Sequence, residues 1–241
     1  MDIIRHDFVA APAHTFGVLL PLVDALASYP QFVDLWQANV DSVTRTASGR
    51  VSAWTGRRGR VLAQPNETWQ PRLVGGQIDF SNGSGAAQGL LSLTASIGTD
   101  PSDLTIGMLV NVANLATDNQ FIFGDHVAPT LRLRYRTNGG SPVIFLDGTN
   151  VIGSAGMRVA ADQTRIPIVL RIAGTAATLT GGTAAGSATI NVPHVLDVLN
   201  IGGGSSNAPT LAGSVSKLAI WRAALTDAQR VKALEWLNAA T

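Results

Sequence analysis

Leu211-Ala-Gly-Ser-Val215-Ser-Lys-Leu-Ala-Ile-Trp221-Arg-Ala-Ala-Leu225-Thr226-Asp-Ala-Gln229 reads as a strand that runs into a capped helix. Val215, Lys217, Ala219 and Trp221 alternate with Ser216, Leu218, Ile220 and Arg222. Alternation marks a strand, and apolar Leu218 and Ile220 in the second set predict burial of both faces. Thr226 followed by Gln229 is a capping box, in which each side chain satisfies a backbone N–H that the first helical turn leaves without a partner. Val231, Leu234 and Leu237 then form one apolar stripe along a short helix.

This succession of glycine, strand, "Arg-Ala-Ala-Leu-Thr-Asp-Ala-Gln" and closing helix resembles the end of concanavalin A-like jelly rolls of the laminin-G and pentraxin type. The resemblance implies an inner strand and a helix that plugs one end of a two-sheet sandwich. Further upstream stand Val33-Asp-Leu-Trp36, Val51-Ser-Ala-Trp54, the turn Gly56-Arg-Arg-Gly59, Ala63-Gln64, Pro71-Arg72-Leu73 and Ile78-Asp79-Phe80-Ser-Asn82-Gly83. Their order is similar to the opening of laminin-G-like modules in virion proteins of bacteriophages and gene-transfer agents. Together the two resemblances cover most of residues 33 to 238. In one respect the chain departs from the pattern. The turn after the second tryptophan strand usually carries an acidic residue, and Gly56-Arg57-Arg58 there counts against a cation role.

At 241 residues the chain suits one large sandwich or two small domains. Its 25 glycines, with scattered Ser, Thr and Asn clusters, favour many turns over long helices. Charged residues make up 14% and the net charge is +1, so no general attraction to nucleic acid is expected. The absence of cysteine removes disulfides, thiolate metal sites and cysteine nucleophiles together. Met1-Asp-Ile-Ile-Arg-His-Asp7 lacks the layout of a signal peptide, and the apolar run Gly17 to Val23 is short and broken by Pro21. The expectation is a soluble protein, made in the host cytoplasm without membrane insertion.

Residues 1–32 differ from the rest. Ile3, Ile4, Phe8 and Val9 are apolar without a clean period, and Pro21 opens a short helix through Ser28 with Leu22, Val23 and Leu26 on its apolar face. Such an arm either packs along the sandwich or docks on another protein. From Leu104 onward short strands follow one another. Leu104 to Val112 alternates, Phe121-Ile-Phe123 follows a polar loop, and Leu131 to Arg136 alternates before the turn residues Asn138-Gly-Gly140. Val143–Leu146, Ile166–Ile172, Ala176–Leu179, Ala188–Val192 and Val198–Ile201 continue the series. Many strands at close spacing, with no internal repeat, predict an all-β sandwich, and the resemblance implies a two-sheet antiparallel jelly roll. A short C-terminal helix and an N-terminal arm with its own short helix complete it, giving an arm at 1–32 and one domain at 33–241.

The glucanase branch of this fold class needs two carboxyls roughly 5–10 Å apart. Glu67 and Glu235 are the only glutamates, and neither has an acidic residue at i±2 or i±4, so no catalytic residue is expected. The Gly202-Gly-Gly204 loop is not followed by a helix, which argues against a phosphate cradle. Asp79, Asn82 and Asp118 offer oxygens that a Ca²⁺ ion can use, and equally well make turns. Asp125-His126 sits in the loop after the Phe121 strand, and Trp69 is the aromatic best placed to stack on a sugar. Arg132, Arg134 and Arg136 line one face of a strand ending at Asn138. That row reads an acidic polysaccharide, meets a neighbouring subunit's carboxylates, or is the solvated face of a half-buried strand.

The resemblance and these features give one expectation. The chain is a non-enzymatic virion component, a capsid spike, decoration or tail-fibre module at the virion surface. Residues 1–32 hold it to other virion subunits or to copies of itself in a homo-oligomer. Trp69, Asp125, His126, Arg132, Arg134 and Asn138 bind host surface polysaccharide. No cofactor is needed apart from a candidate Ca²⁺ ion. The alternatives are a cementing protein without sugar binding and a polysaccharide-degrading enzyme built from aspartates.

Overall fold

A computed structural model describes residues 22–81, 91–93, 103–124, 131–138, 141–148, 151–152, 155–190, 199–203 and 211–240. In chain order the elements are α1 (Leu22–Ala27), β1 (Phe32–Gln37), β2 (Val43–Arg45), β3 (Val51–Thr55), β4 (Val61–Ala63), β5 (Arg72–Val74), β6 (Gln77–Asp79) and β7 (Leu91–Leu93). There follow β8 (Asp103–Val112), β9 (Gln120–Gly124), β10 (Arg132–Asn138), β11 (Ser141–Asp147), β12 (Val151–Ile152) and β13 (Ala155–Arg158). The last are β14 (Arg165–Ala173), β15 (Ala176–Thr180), β16 (Gly186–Ile190), β17 (Leu199–Ile201), β18 (Gly213–Trp221) and α2 (Asp227–Asn238).

All pairings are antiparallel, and they build two sheets. The first sheet has the order β12-β16-β15-β14-β8-β18-β6-β5, with β1 beside the second half of β18. The second has the order β13-β11-β10-β9-β17-β7-β4-β3-β2. This is the all-β sandwich that the strand pattern predicts. Between the sheets lies the main core, where Leu218, Ile220, Met108 and Leu170 of the first sheet belong to one cluster with Ile122, Leu133, Tyr135 and Ile144 of the second.

β18 is buried throughout and runs through the middle of the first sheet, along β8 from Gly213 to Trp221. Its alternation is interrupted once. Val215 and Lys217 face Val110 and Leu109, neighbours on β8, so Ser216 is an extra residue in a bulge. The bulge flips the parity: Val215 joins Leu218 and Ile220 in the main core, instead of Ala219 and Trp221 as unbroken alternation implies. On the outer face Ala219 and Trp221 join Leu109 and Val169 in a second cluster, roofed by Leu26 of α1 and by Ala233, Trp236 and Leu237 of α2.

The capping box of α2 forms as read, with Thr226 Oγ1 accepting from Gln229 N and the Gln229 side chain accepting from Thr226 N. The buried stripe, however, is Ala233, Trp236 and Leu237, while Val231 is 53% exposed. Trp236 carries the largest apolar surface of the helix, so turning it inward fixes the helix rotation and leaves Val231 outside. α1 forms after Pro21 as predicted. Leu26 is fully buried, its carbonyl accepts from Trp221 Nε1 at 3.0 Å, and residues 22–32 pack on the first sheet. Residues 1–21 lie outside the described residues. Among those that are described, no helix is long and apolar enough to cross a membrane.

Candidate functional site

Strand β10 presents its two sets of side chains to different worlds. Leu133 and Tyr135 point into the core, while Arg132, Arg134 and Arg136 stand on the outer face of the second sheet. Register places their neighbours. Arg132 lies opposite Asp147, Arg134 lies between Phe121 and Phe145, and Arg136 lies opposite Val143, which in turn faces Arg158 of β13. Residues directly opposite in an antiparallel ladder share a face, so these side chains form one patch.

The patch has a built-in imbalance. Among the described residues the patch holds four guanidinium groups, on Arg132, Arg134, Arg136 and Arg158, and two carboxylates, Asp147 and Asp118, which lie beside the first three. Arg134 is the most enclosed, 15% exposed at its side chain; it pairs with Asp147 and donates to the Asn119 side chain. Arg132 Nε lies 3.4 Å from Asp147 Oδ1, close enough to attract but not aligned to hydrogen-bond. Arg136 Nε is 4.0 Å from Asp118 Oδ1, and its guanidinium sits 5.0 Å from the centre of the Phe145 ring. Among the described residues the buried Nε atoms of all three arginines have no hydrogen-bond acceptor, and Asp147 Oδ1 has no donor. Burial, and then the charges of Arg132 and Arg136, make the Arg134 guanidinium less basic than usual.

The patch rests on a rigid frame. Thr137 N donates to Asp118 Oδ1 at 2.8 Å, and Tyr135 Oη donates to Leu115 O at 3.1 Å. Buried Gln120 ties the preceding loop together, donating to Asn114 O and Thr117 O and accepting from Ala212 N. Asn119 takes a left-handed backbone, φ 64°, which asparagine tolerates better than most residues. Burial, reinforced by the charge of Asp118, pushes the Tyr135 phenol above its ordinary pKa.

The other expected site residues are scattered. Asn138 is the last residue of β10, opposite Ser141. Trp69 is 44% exposed, in a short 3₁₀ turn at Glu67–Trp69 between β4 and β5. Four strand intervals separate β4 from β10 in the second sheet, about 19 Å, so Trp69 and the arginine row do not share one patch. Asp79 belongs to β6 in the first sheet and accepts from Ser81 N, whereas Asp118 borders β10 in the second. Asn82, Asp125 and His126 lie outside the described residues. Among the described residues no group of three metal-ligating side chains assembles.

Two features escaped the sequence reading. Asp147 and Phe145 lie on β11 and Arg158 on β13, and only register joins them to β10. Asp34 reads as an ordinary strand aspartate, yet it is fully buried and accepts from Arg58 N at 2.8 Å and Arg60 N at 3.0 Å. A Cβ on Gly56 would stand 2.5 Å from that carboxylate, which explains the glycine. The Gly56-Arg57-Arg58 turn is thus a clasp. Arg57 pairs with Asp24 of α1, while Arg58 donates to Phe32 O at 2.6 Å and lies over the Phe32 ring.

No protein-family model matches the sequence, and no curated protein does. Solved structures do match. The binding domain of botulinum neurotoxin DC, in complex with SialylT, matches with a TM-score of 0.59 and 8% identity over 90% of this chain and 53% of that one. Trypanosoma rangeli sialidase, with 2,3-difluorosialic acid, matches with 0.57 and 12% identity over 88% of this chain and 37% of that one. Domain 4 of the arabinanase AbnA from Geobacillus stearothermophilus, in complex with arabinotriose, matches with 0.50 and 13% identity over 85% of this chain and 98% of that domain. The chain spans about half the length of the botulinum domain. At these identities the likeness shows the fold alone.

Proposed function

We propose that this chain is a non-catalytic carbohydrate-binding module that holds acidic, carboxylate-bearing glycans on the outer face of its second sheet. The observation that carries this reading is the excess of guanidinium over carboxylate there among the described residues, with buried Nε–H groups that have no acceptor among them. A uronate or sialate carboxylate offers two coplanar oxygens that match the guanidinium fork. Arg132 and Arg136 stand about 13 Å apart along β10, so an extended polysaccharide reaches both. Arg134 holds Asp147 between them. The botulinum domain solved with SialylT and the arabinanase domain solved with arabinotriose lend support to sugar binding by a sandwich of this shape.

Neither glutamate belongs to the arginine patch. Glu67 accepts from Ser48 Oγ in an exposed turn and Glu235 pairs with Lys232 on α2, which favours binding over glycoside hydrolysis. The module would be carried on the surface of a virion or phage-derived particle, with residues 1–21 joining it to neighbouring subunits; the support is its resemblance to laminin-G-like virion modules. A second reading draws on the same charge excess: the arginine row meets the carboxylates of a neighbouring subunit and cements the particle.

Calorimetry with sialyllactose, trigalacturonate and lactose separates the two. An acidic glycan binds the wild-type chain, about ten- to a hundredfold more weakly the Arg136→Ala variant, and lactose does not bind this face. If neither acidic sugar binds the wild-type chain, glycan recognition here is wrong and the cementing role stands.

A further inference from the structure

We propose a second binding site, for a neutral sugar residue, in the cleft of about 610 Å³ between α1, β1 and the loop 38–42. It lies away from the arginine patch and does not depend on it. The volume falls within the range of about 300–1,000 Å³ usual for small-molecule sites. Val23 of α1, half-buried, supplies apolar surface suited to the C–H face of a sugar ring, while Leu35 of β1, 4% exposed, adds little to it. Gln37, Asp41 and Thr55 line the same cleft, Asp41 and Thr55 exposed and Gln37 half-buried, and none of their side chains has a hydrogen-bond or ion-pair partner among the described residues. A carboxylate and an amide lining one cleft can accept from and donate to the hydroxyls of a sugar.

Charge selects the class of sugar. Asp24, at the rim, is neutralised by Arg57, which leaves Asp41 as the uncompensated charge of the cleft. A carboxylate sugar is repelled here and attracted to the second sheet, so the two sites sort glycans by charge.

The wall is already organised. Asn39 Oδ1 accepts from Asp41 N at 3.0 Å and Ser42 N at 2.8 Å, and Ser42 Oγ donates to Gln37 O at 2.7 Å. Thr55 N donates to Ser42 O at 2.7 Å, and Ala38 N to Ser216 O at 2.9 Å. A loop held in this way loses little conformational freedom when a ligand arrives.

The test is amide chemical-shift mapping of the full chain with methyl α-mannoside, methyl β-galactoside, methyl α-glucoside and methyl α-L-arabinofuranoside, each up to about 50 mM. At least one neutral glycoside should give saturable shifts at residues 37–42 and 55–57. Asp41→Asn and Gln37→Ala should each weaken it about tenfold or more, while Arg136→Ala and added salt leave it unchanged. Three results overturn the proposal: no neutral glycoside shifts these amides, both variants bind as the wild type does, or galacturonate shifts them more strongly. Thr55→Val, at an exposed position, serves as a further variant should either of the first two unfold. Loss of acidic-glycan binding in Arg136→Ala tests the arginine patch separately.

Discussion

The outer faces of the two sheets arise from the same strand alternation and end in opposite states. On the first sheet Leu109, Val169, Ala219 and Trp221 are sealed beneath two helices. One cation on that side, Lys217, is consumed in the seal, since its ammonium donates to Trp236 O at 2.7 Å and Ala239 O at 2.8 Å and so completes the C-terminus of α2, and Arg171 donates to Leu225 O at 2.9 Å. Arg165 assists from β14, donating to Leu237 O, Asn238 O and Ala239 O. On the second sheet the cations are not spent in this way. Arg132 and Arg136 keep side chains 36% and 40% exposed, and their Nε–H groups have no acceptor among the described residues. A cation that finishes a helix stabilises the fold, while one held in surplus beside its own kind is available to a ligand.

The sealed face should be the more fragile. Trp221→Ala removes a fully buried ring, its contact with Phe32 and its hydrogen bond to Leu26 O. The expected loss is about 3–5 kcal/mol in chemical denaturation, the largest effect considered. A loss below about 1 kcal/mol would mean that the helices do not depend on the face they cover. On the second sheet Arg134→Ala should lower stability by about 1–2 kcal/mol, since Asp147 loses its main partner. Acidic-glycan affinity should fall about tenfold in the same variant by calorimetry. A variant as destabilised as Trp221→Ala would erase the distinction between the faces.

Much of this contrast was legible in the sequence. The Thr226–Gln229 cap, the alternation of β10 and the short helix after Pro21 are local signals, each written in a few adjacent residues. The bulge at Ser216 was not, because an extra residue shows only against the partner strand. Arg158, Phe145 and Asp147 were missed for the same reason, as β11 and β13 reach β10 through register that no single strand encodes. Asp34 was hidden because its carboxylate is satisfied by backbone N–H groups from a turn more than twenty residues away. The arginine row was visible; the acids and rings that set its charge and shape were not.

Lys217 offers a pH readout of the sealed face. Burial, with the nearby charge of Arg165, pushes its ammonium down to about 8 from 10.5. Below about pH 8 both folded and unfolded chains carry the proton, and the folded chain bears the cost of a buried charge. Between about 8 and 10 the unfolded chain keeps a proton that the folded chain has released, so this group makes stability rise with pH. The gain is on the order of 1–3 kcal/mol. Lys217→Met should abolish it, seen as loss of the wild-type-minus-variant rise in Tm between pH 7.5 and 10. Tyr29 and Tyr135, whose pKa values are raised, also begin to bear on stability near pH 10, but they do so alike in both proteins and cancel in the difference. A parallel rise in both proteins would assign the slope to other groups.

Arg158 sets the smallest and most discriminating test. It stands at the border of the patch on β13, exposed, with no side-chain partner among the described residues, two strands from β10. A rim charge acts chiefly through the field that guides an anion inward, and that field is screened by salt over about 10 Å at 0.1 M. Arg158→Ala should therefore weaken acidic-glycan binding only about two- to threefold at low salt, mainly through the association rate. Above about 0.5 M salt the difference should vanish, since the screening length has then shrunk well below the patch. Arg136→Ala should remain impaired at every salt concentration, because direct hydrogen bonds to a carboxylate are lost along with the charge. Equal salt dependence in the two variants would mean that the face attracts anions without gripping them.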